Sequence, residues 1–321
     1  MYDVGGADLL DDEGHELWGF DARETGWLGP NTVAAAGKSG AGAAIETVRM
    51  YDLSGNQTGE VSTVFESAVY GGANKVFAGV YPATDDNAQG TTFSIWNGTA
   101  VSAPQGGNAQ AWSEDGSQLA VLLPPFTNEK VLMDGRLAIV DETGKQVFHL
   151  DGWYGSTLGD YEFSPDARYL AACLTQDTND IEQGAVVDTV TGDVSVLGGA
   201  CGGLAWTDEP ALYAPSTGLG KRWVRWTPGG ATELVPGAEP QDVVVAAPNG
   251  NLAIAATSRP DVLELVVNGV SEERQLPGPL PENGGYLVPY ASWRPDGKAL
   301  AVVYSLSGTT DGAYALEIIH V

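Results

Sequence analysis

The chain has 321 residues, enough for a sizeable core, and 42 acidic against 15 basic side chains leave a formal net charge of −27. That sign opposes a phosphate backbone or an anionic lipid face, so nucleic acid and membrane-surface partners are disfavoured. No apolar run of about 18 residues occurs, so the sequence holds no transmembrane helix.

Residues 1–12 lack the basic-then-apolar pattern of a secretory signal, and residues 1–14 read as an irregular lead-in. Glu16–Asp21 (Glu-Leu-Trp-Gly-Phe-Asp) reads as a strand. From Trp27 onward the chain repeats itself. Trp27 leads to Val33-Ala34 across Gly29-Pro30-Asn31, and Val69 leads to Val76 across Gly71-Gly72-Ala73-Asn74. Two clearer copies follow, Trp112-Ser-Glu-Asp-Gly-Ser-Gln-Leu119-Ala120 and Phe163-Ser-Pro-Asp-Ala-Arg-Tyr-Leu170-Ala171. Then come Trp206 to Leu212, Val245 to Leu252-Ala253, and the clear copy Trp293-Arg-Pro-Asp-Gly-Lys-Ala-Leu300-Ala301. The apolar anchors Val33, Val76, Leu119, Leu170, Leu212, Leu252 and Leu300 are spaced 43, 43, 51, 42, 40 and 48 residues apart.

A period near 40–50 with turn signals inside each unit belongs to β-propeller blades, because helical repeats of that length need amphipathic runs that are absent here. Each anchor opens a short apolar strand, such as Ala171-Ala172-Cys173-Leu174. A variable polar loop follows, then a third strand entering a tight turn, as in Leu137-Ala-Ile-Val140 into Asp141-Glu-Thr-Gly-Lys145. A fourth strand such as 146–150 completes a four-stranded blade. Seven anchors therefore predict an all-β fold, a single seven-bladed propeller domain over residues 1–321. The last blade lacks a fourth strand, and Glu16–Asp21 is expected to supply it by pairing antiparallel with 314–321, which closes the ring.

The Ser-Pro-Asp-Gly type turn followed by a Leu-Ala strand resembles the bacterial TolB-like and WD-repeat-like propellers. The resemblance implies the fold and is silent on activity, since propellers host binding modules, lyases and lactonases alike. The Trp-Asp dipeptide that closes eukaryotic WD blades is missing, which favours the TolB-like branch.

Asp115, Asp166 and Asp296 resemble a carboxylate set, but aspartate in a Gly- or Pro-containing turn caps backbone amides, and no catalytic residue is assigned. His15, His149 and His320 are expected on or beside outer strands, in surface or packing roles. Gly37-Lys38-Ser39 lacks the first glycine of a phosphate-binding loop. Two acid-rich loops, with Asp85 and Asp86 in one and Asp177, Asp180 and Glu182 in the other, could supply part of a calcium shell; neither has EF-hand spacing, and no other cofactor is implied. Cys173 falls near the end of a second strand and Cys201 in the loop entering the next unit. The two are predicted to form a disulfide.

Recognition is expected on the long, dissimilar loops 81–90, 124–135, 151–159, 176–184, 216–222 and 277–290. Their aromatics Tyr81, Phe126, Trp153, Tyr154, Tyr286 and Tyr290 are the candidate binding residues, with a basic partner favoured by the acids beside them. The reading is a non-enzymatic, exported or surface-tethered propeller that binds a protein, peptide or glycan, its signal or anchor lying outside this sequence. The alternatives are a lyase- or lactonase-type enzyme with carboxylates at a central channel, and a sensor module of a larger membrane protein.

Overall fold

The computed structural model describes residues 6–10, 16–21, 24–28, 31–38, 45–65, 67–71, 76–81, 92–127, 134–156, 159–176, 182–198, 201, 204–216, 222–229, 232–236, 238, 243–247, 249–255, 262–267, 270–275, 290–293, 297–305 and 314–321. Its N-terminal strands β1 (Gly6–Leu10) and β2 (Glu16–Asp21) form an antiparallel hairpin with Gly6 opposite Asp21. The segment read as an irregular lead-in thus contains a strand, and the partner of Glu16–Asp21 is β1 rather than 314–321. A hairpin a few residues away closes at far lower entropic cost than pairing with the distant end of the chain.

Strands β3 (Glu24–Trp27), β4 (Thr32–Lys38), β5 (Ile45–Asp52) and β6 (Gln57–Phe65) form a four-stranded antiparallel meander. So do β7 (Ser67–Gly71), β8 (Val76–Tyr81), β9 (Thr92–Trp96) and β10 (Gln105–Gly106). The next eight strands are β11 (Asn108–Trp112), β12 (Gln118–Thr127), β13 (Asp134–Asp141), β14 (Gln146–Ser156), β15 (Glu162–Phe163), β16 (Tyr169–Thr175), β17 (Gln183–Asp188) and β18 (Val194–Val196). They make one continuous sheet, because β14 runs on past its hairpin with β13 and pairs with β16. Meanders return with β19 (Ala205–Trp206), β20 (Leu212–Ser216), β21 (Arg222–Trp226) and β22 (Glu233–Leu234), and with β23 (Val243–Ala246), β24 (Leu252–Ala255), β25 (Val262–Val267) and β26 (Val270–Gln275). The last sheet has three strands, β27 (Tyr290–Trp293), β28 (Ala299–Ser305) and β29 (Tyr314–His320).

The chain is therefore all-β, built of antiparallel sheets in which, β14 and β15 apart, successive strands of a sheet pair with one another, as in propeller blades. Seven separate four-stranded blades were expected. Four sheets are of that kind, beside the eight-stranded and three-stranded ones and the N-terminal hairpin. Among the described residues no helix is long and apolar enough to cross a membrane.

Two compact units are distinguished: Met1–Asp11, His15–Glu182 and Val186–Ser195, and Asp12–Gly14, Gln183–Ala185 and Val196–Val321. In the first, Phe93 and Ile95 of β9 pack with Trp112, Leu119 and Val121, burying one sheet face against the next. In the second, Leu263 and Leu265 of β25 do the same against Trp293, Leu300 and Val302. The anchors sit at the heart of this packing, with Leu119, Leu170, Leu212 and Leu300 all 0% exposed. Each pairs across its sheet with the last residue of the strand before it, as in Trp112 with Leu119, Phe163 with Leu170 and Trp293 with Leu300. The indole Nε1 of Trp112 donates to the carbonyl of Val69 at 3.1 Å, and that of Trp293 to Val245 at 3.1 Å. These two copies thus keep both the indole ring and its bond to the preceding sheet.

The turn between aromatic and anchor is built by serine and aspartate. Ser113 Oγ donates to Asp115 Oδ1 at 2.7 Å, the Ser117 amide donates to the same oxygen at 3.0 Å, and the Gln118 amide donates to Ser113 Oγ at 3.0 Å. Ser164 and Asp166 repeat the arrangement at 2.6 Å. Asp115 and Asp166 are thus turn-forming, as expected; Asp296 lies outside the described residues. Gly116 takes φ 69° and Gly297 φ 66°, and at the matching position Ala167 is held at φ 58°. Gly116→Ala is expected to cost about 1–2 kcal/mol, the left-handed penalty for a side chain. Ala167→Gly should lie within about 0.5 kcal/mol of the parent, since relief of strain is offset by a looser unfolded chain and a lost buried methyl. Chemical denaturation of both variants checks the pair.

Candidate functional site

The most irregular part of the described structure is β14. Gln146, Phe148 and His149 pair with Val140, Ile139 and Ala138, and pairing resumes only at Tyr154 opposite Arg136. Four residues, Leu150 to Trp153, therefore face the single residue Leu137, a wide bulge centred on Gly152 at φ 75°. Bulges re-aim side chains and recur beside functional sites. Beyond it, Tyr154 and Gly155 pair on their other side with Thr175 and Leu174 of β16, which pins the rejoined strand from both edges.

The bulge lies against a cleft of about 190 Å³, floored by Leu137 and Leu150 and rimmed by Arg136, Gln146, His149 and Asp151. Leu137 and Leu150 are 0% and 5% exposed, while the four polar side chains are exposed. The imidazole of His149 spans two neighbours, with Nε2 3.4 Å from Asp151 Oδ1 and Nδ1 3.5 Å from Gln146 Nε2. Arg136 Nη2 donates to the Pro124 carbonyl at 3.1 Å, and among the described residues no carboxylate lies within ion-pair distance of its guanidinium. A fixed cation, an imidazole, an amide and a carboxylate thus surround a small apolar floor.

A second feature stands on β15. Glu162 pairs with Ala171 at the position that Ala111 and Ala205 hold on β11 and β19. Its side chain reaches solvent but is hemmed in by protein, and this burial, with the neighbouring Asp160 charge, pushes its carboxyl up to about 7. The turn aspartates move the other way. Hydrogen bonds from Thr143 and Lys145 hold Asp141 below its ordinary value, and those from Ser113 and Ser117 do so for Asp115 against its partial burial.

These shifts set opposite pH limits. A raised carboxyl contributes stability below its unfolded value and loses it as pH rises toward 7; a depressed one contributes above the unfolded value and loses it in acid. Maximum stability is therefore expected near pH 5. Between pH 5 and 8 the fall should be on the order of 1 kcal/mol, well under the full shift because Glu162 keeps solvent contact. Glu162→Gln should flatten this decline, as measured by urea denaturation at the two pH values.

Of the residues expected to bind, Trp153 and Tyr154 lie on β14 and are half-buried, so residues 151–156 are strand rather than loop. Tyr81 ends β8, Phe126 lies within β12 and Tyr290 opens β27, each in a strand where a loop was expected. Tyr286, Asp85, Asp86, Asp177, Asp180 and His15 lie outside the described residues. Glu182, expected to help hold calcium, has Oε2 3.6 Å from Cys173 Sγ and a buried Oε1 without a hydrogen-bond partner. Neither cysteine is a free thiol: Cys173 and Cys201 are disulfide-bonded, as expected. Arg136, Gln146 and Asp151 escaped the sequence reading and His149 was assigned a packing or surface role; the signal was Asp151-Gly152, a turn dipeptide between two strand-forming stretches.

No protein-family model matches the chain, and no curated protein matches it in sequence. Among solved structures it is similar to hydrazine synthase from Kuenenia stuttgartiensis, with 14% identity over 92% of this chain and 94% of that one and a TM-score of 0.46. It is similar to BamB from Moraxella catarrhalis, with 12% identity over 94% and 88% of the two chains and a TM-score of 0.45. TolB from Acinetobacter baumannii is similar at 14% identity over 89% and 79%, with a TM-score of 0.37.

Proposed function

We propose that this chain is an extracytoplasmic, non-enzymatic binding module of the propeller class that recognises a protein, peptide or glycan. The observation that carries the reading is the bulge of β14, which lies against a cleft rimmed by Arg136, Gln146, His149 and Asp151 and is followed in the same strand by half-buried Trp153 and Tyr154. Aromatic anchors beside a small number of polar groups are the composition of recognition sites. The disulfide supports an oxidising compartment, since such bonds persist outside the cytosol. Tyr81, Phe126, Tyr286 and Tyr290 are retained as further candidate binding residues, and the acids Asp85, Asp86, Asp177 and Asp180 favour a basic partner or calcium.

Arrays of immobilised peptides and glycans probed with the full chain test this reading. Trp153→Ala combined with Tyr154→Ala is expected to weaken any ligand found by over ~10-fold, the cost of losing one hot-spot aromatic, with an unchanged thermal midpoint for folding. Binding that survives both substitutions would remove the assignment.

Glu162 favours a second reading, a hydrolytic or lyase-type enzyme, because a carboxyl poised at about 7 suits general acid-base work near neutrality. Turnover of a glycan or lactone that rises with pH and vanishes in Glu162→Gln would establish it.

A further inference from the structure

We infer that the cleft under the β14 bulge binds a hydroxylated carboxylate, the chemistry shared by small hydroxy acids and the uronic acid units of acidic glycans. The inference rests on the binding reading above and names the ligand class of that site. Among the described residues the guanidinium of Arg136 has no carboxylate partner, and unlike Arg222 and Arg225, which share that property, it rims the cleft. Arg136 spends one Nη2 bond on the Pro124 carbonyl, and the rest of its planar fork matches a carboxylate in geometry and charge. Asp151, the one acid on the rim, lies 3.4 Å from His149 Nε2.

The remaining chemistry suits hydroxyl groups. Gln146 Nε2 lies 3.5 Å from His149 Nδ1, which leaves the amide its carbonyl acceptor and a second N–H donor for hydroxyl groups. Leu137 and Leu150 provide an apolar floor for carbon-bound hydrogens. The volume of about 190 Å³ is below the ~300–1,000 Å³ of pockets for drug-sized ligands, so a single ring or a smaller acid fits. A bare apolar ligand would leave the polar rim unsatisfied, and a neutral sugar would leave the guanidinium without its counter-charge.

Titration calorimetry of the full chain with sodium glucuronate, sodium lactate, glucose and methylammonium chloride tests the inference. Glucuronate or lactate is expected to bind with glucose and methylammonium at least ~10-fold weaker, the value of one charge-assisted hydrogen bond. The tighter of the two acids distinguishes an acidic glycan from a free hydroxy acid. Arg136→Gln should lose at least ~10-fold, with Arg136→Lys intermediate because it keeps the charge and loses the fork. A thermal midpoint for folding that is unchanged in Arg136→Gln controls for loss of fold. Failure of both acids at ~10 mM, equal binding of glucose, or an Arg136→Gln variant that binds as the parent does would overturn the inference. Failure of both acids, with array ligands still lost on Trp153→Ala and Tyr154→Ala, removes this ligand class and leaves the binding reading standing.

Discussion

Replacing Trp112 with alanine is expected to lower the unfolding free energy by about 3–5 kcal/mol, the range for deleting a large aromatic from a core. Trp112 is 8% exposed and packs among Phe93, Ile95, Leu119 and Val121, so truncation leaves a void between two sheets that cannot close without moving both. The indole also ties the sheets together through its bond to the Val69 carbonyl at 3.1 Å. Trp112→Phe separates the two contributions. It keeps most of the ring, removes the donor, and is expected to cost about 1–2 kcal/mol, one hydrogen bond and a modest volume loss. Trp293, bonded to Val245 in the same way, should show the same order of effects. Urea denaturation followed by tryptophan fluorescence gives each value. A Trp112→Ala cost below about 1 kcal/mol would mean that the sheets do not depend on the ring, and the packing account would fail.

What the sequence disclosed and what it concealed follow from the same physics. The second strand of each repeat was legible because it must be buried on both faces: Tyr169–Thr175 is buried at every position, and only an unbroken apolar run can satisfy that. The turns before it were legible because serine and aspartate there replace backbone partners with their own oxygens. The outer strands carry weaker information. Gln146–Ser156 alternates poorly, and Asp151-Gly152 read as its end, whereas the backbone bulges there and continues into a second pairing with β16. That error concealed the cleft, since Arg136, His149 and Asp151 converge only when the strand rejoins. The N-terminal hairpin was concealed for another reason. Glu16–Asp21 was matched to the unit that lacked a strand, and the nearer partner Gly6–Leu10, short and glycine-led, gave little strand signal. Glu162 could have been found by comparing repeats, because a charged side chain stands where the clear first copy has Ala111.

Reduction of the Cys173–Cys201 disulfide is expected to lower stability by about 3–4 kcal/mol, because the bond closes a loop of roughly 30 residues in the unfolded chain. The folded state adds a packing term. Cys173 is 0% exposed on β16, a strand buried at every position, and the backbone of Gly159 packs directly against its Cβ, where any larger residue would collide. The double variant Cys173→Ala, Cys201→Ala should reproduce the effect of reductant, since alanine fills the site without a buried polar atom and differs from the parent chiefly in the missing cross-link. Free-thiol titration of the denatured, unreduced protein should find none. Two reactive thiols would contradict both the bond and the extracytoplasmic assignment, while an intact bond whose reduction costs under about 1 kcal/mol would show that the unfolded chain already holds this loop closed.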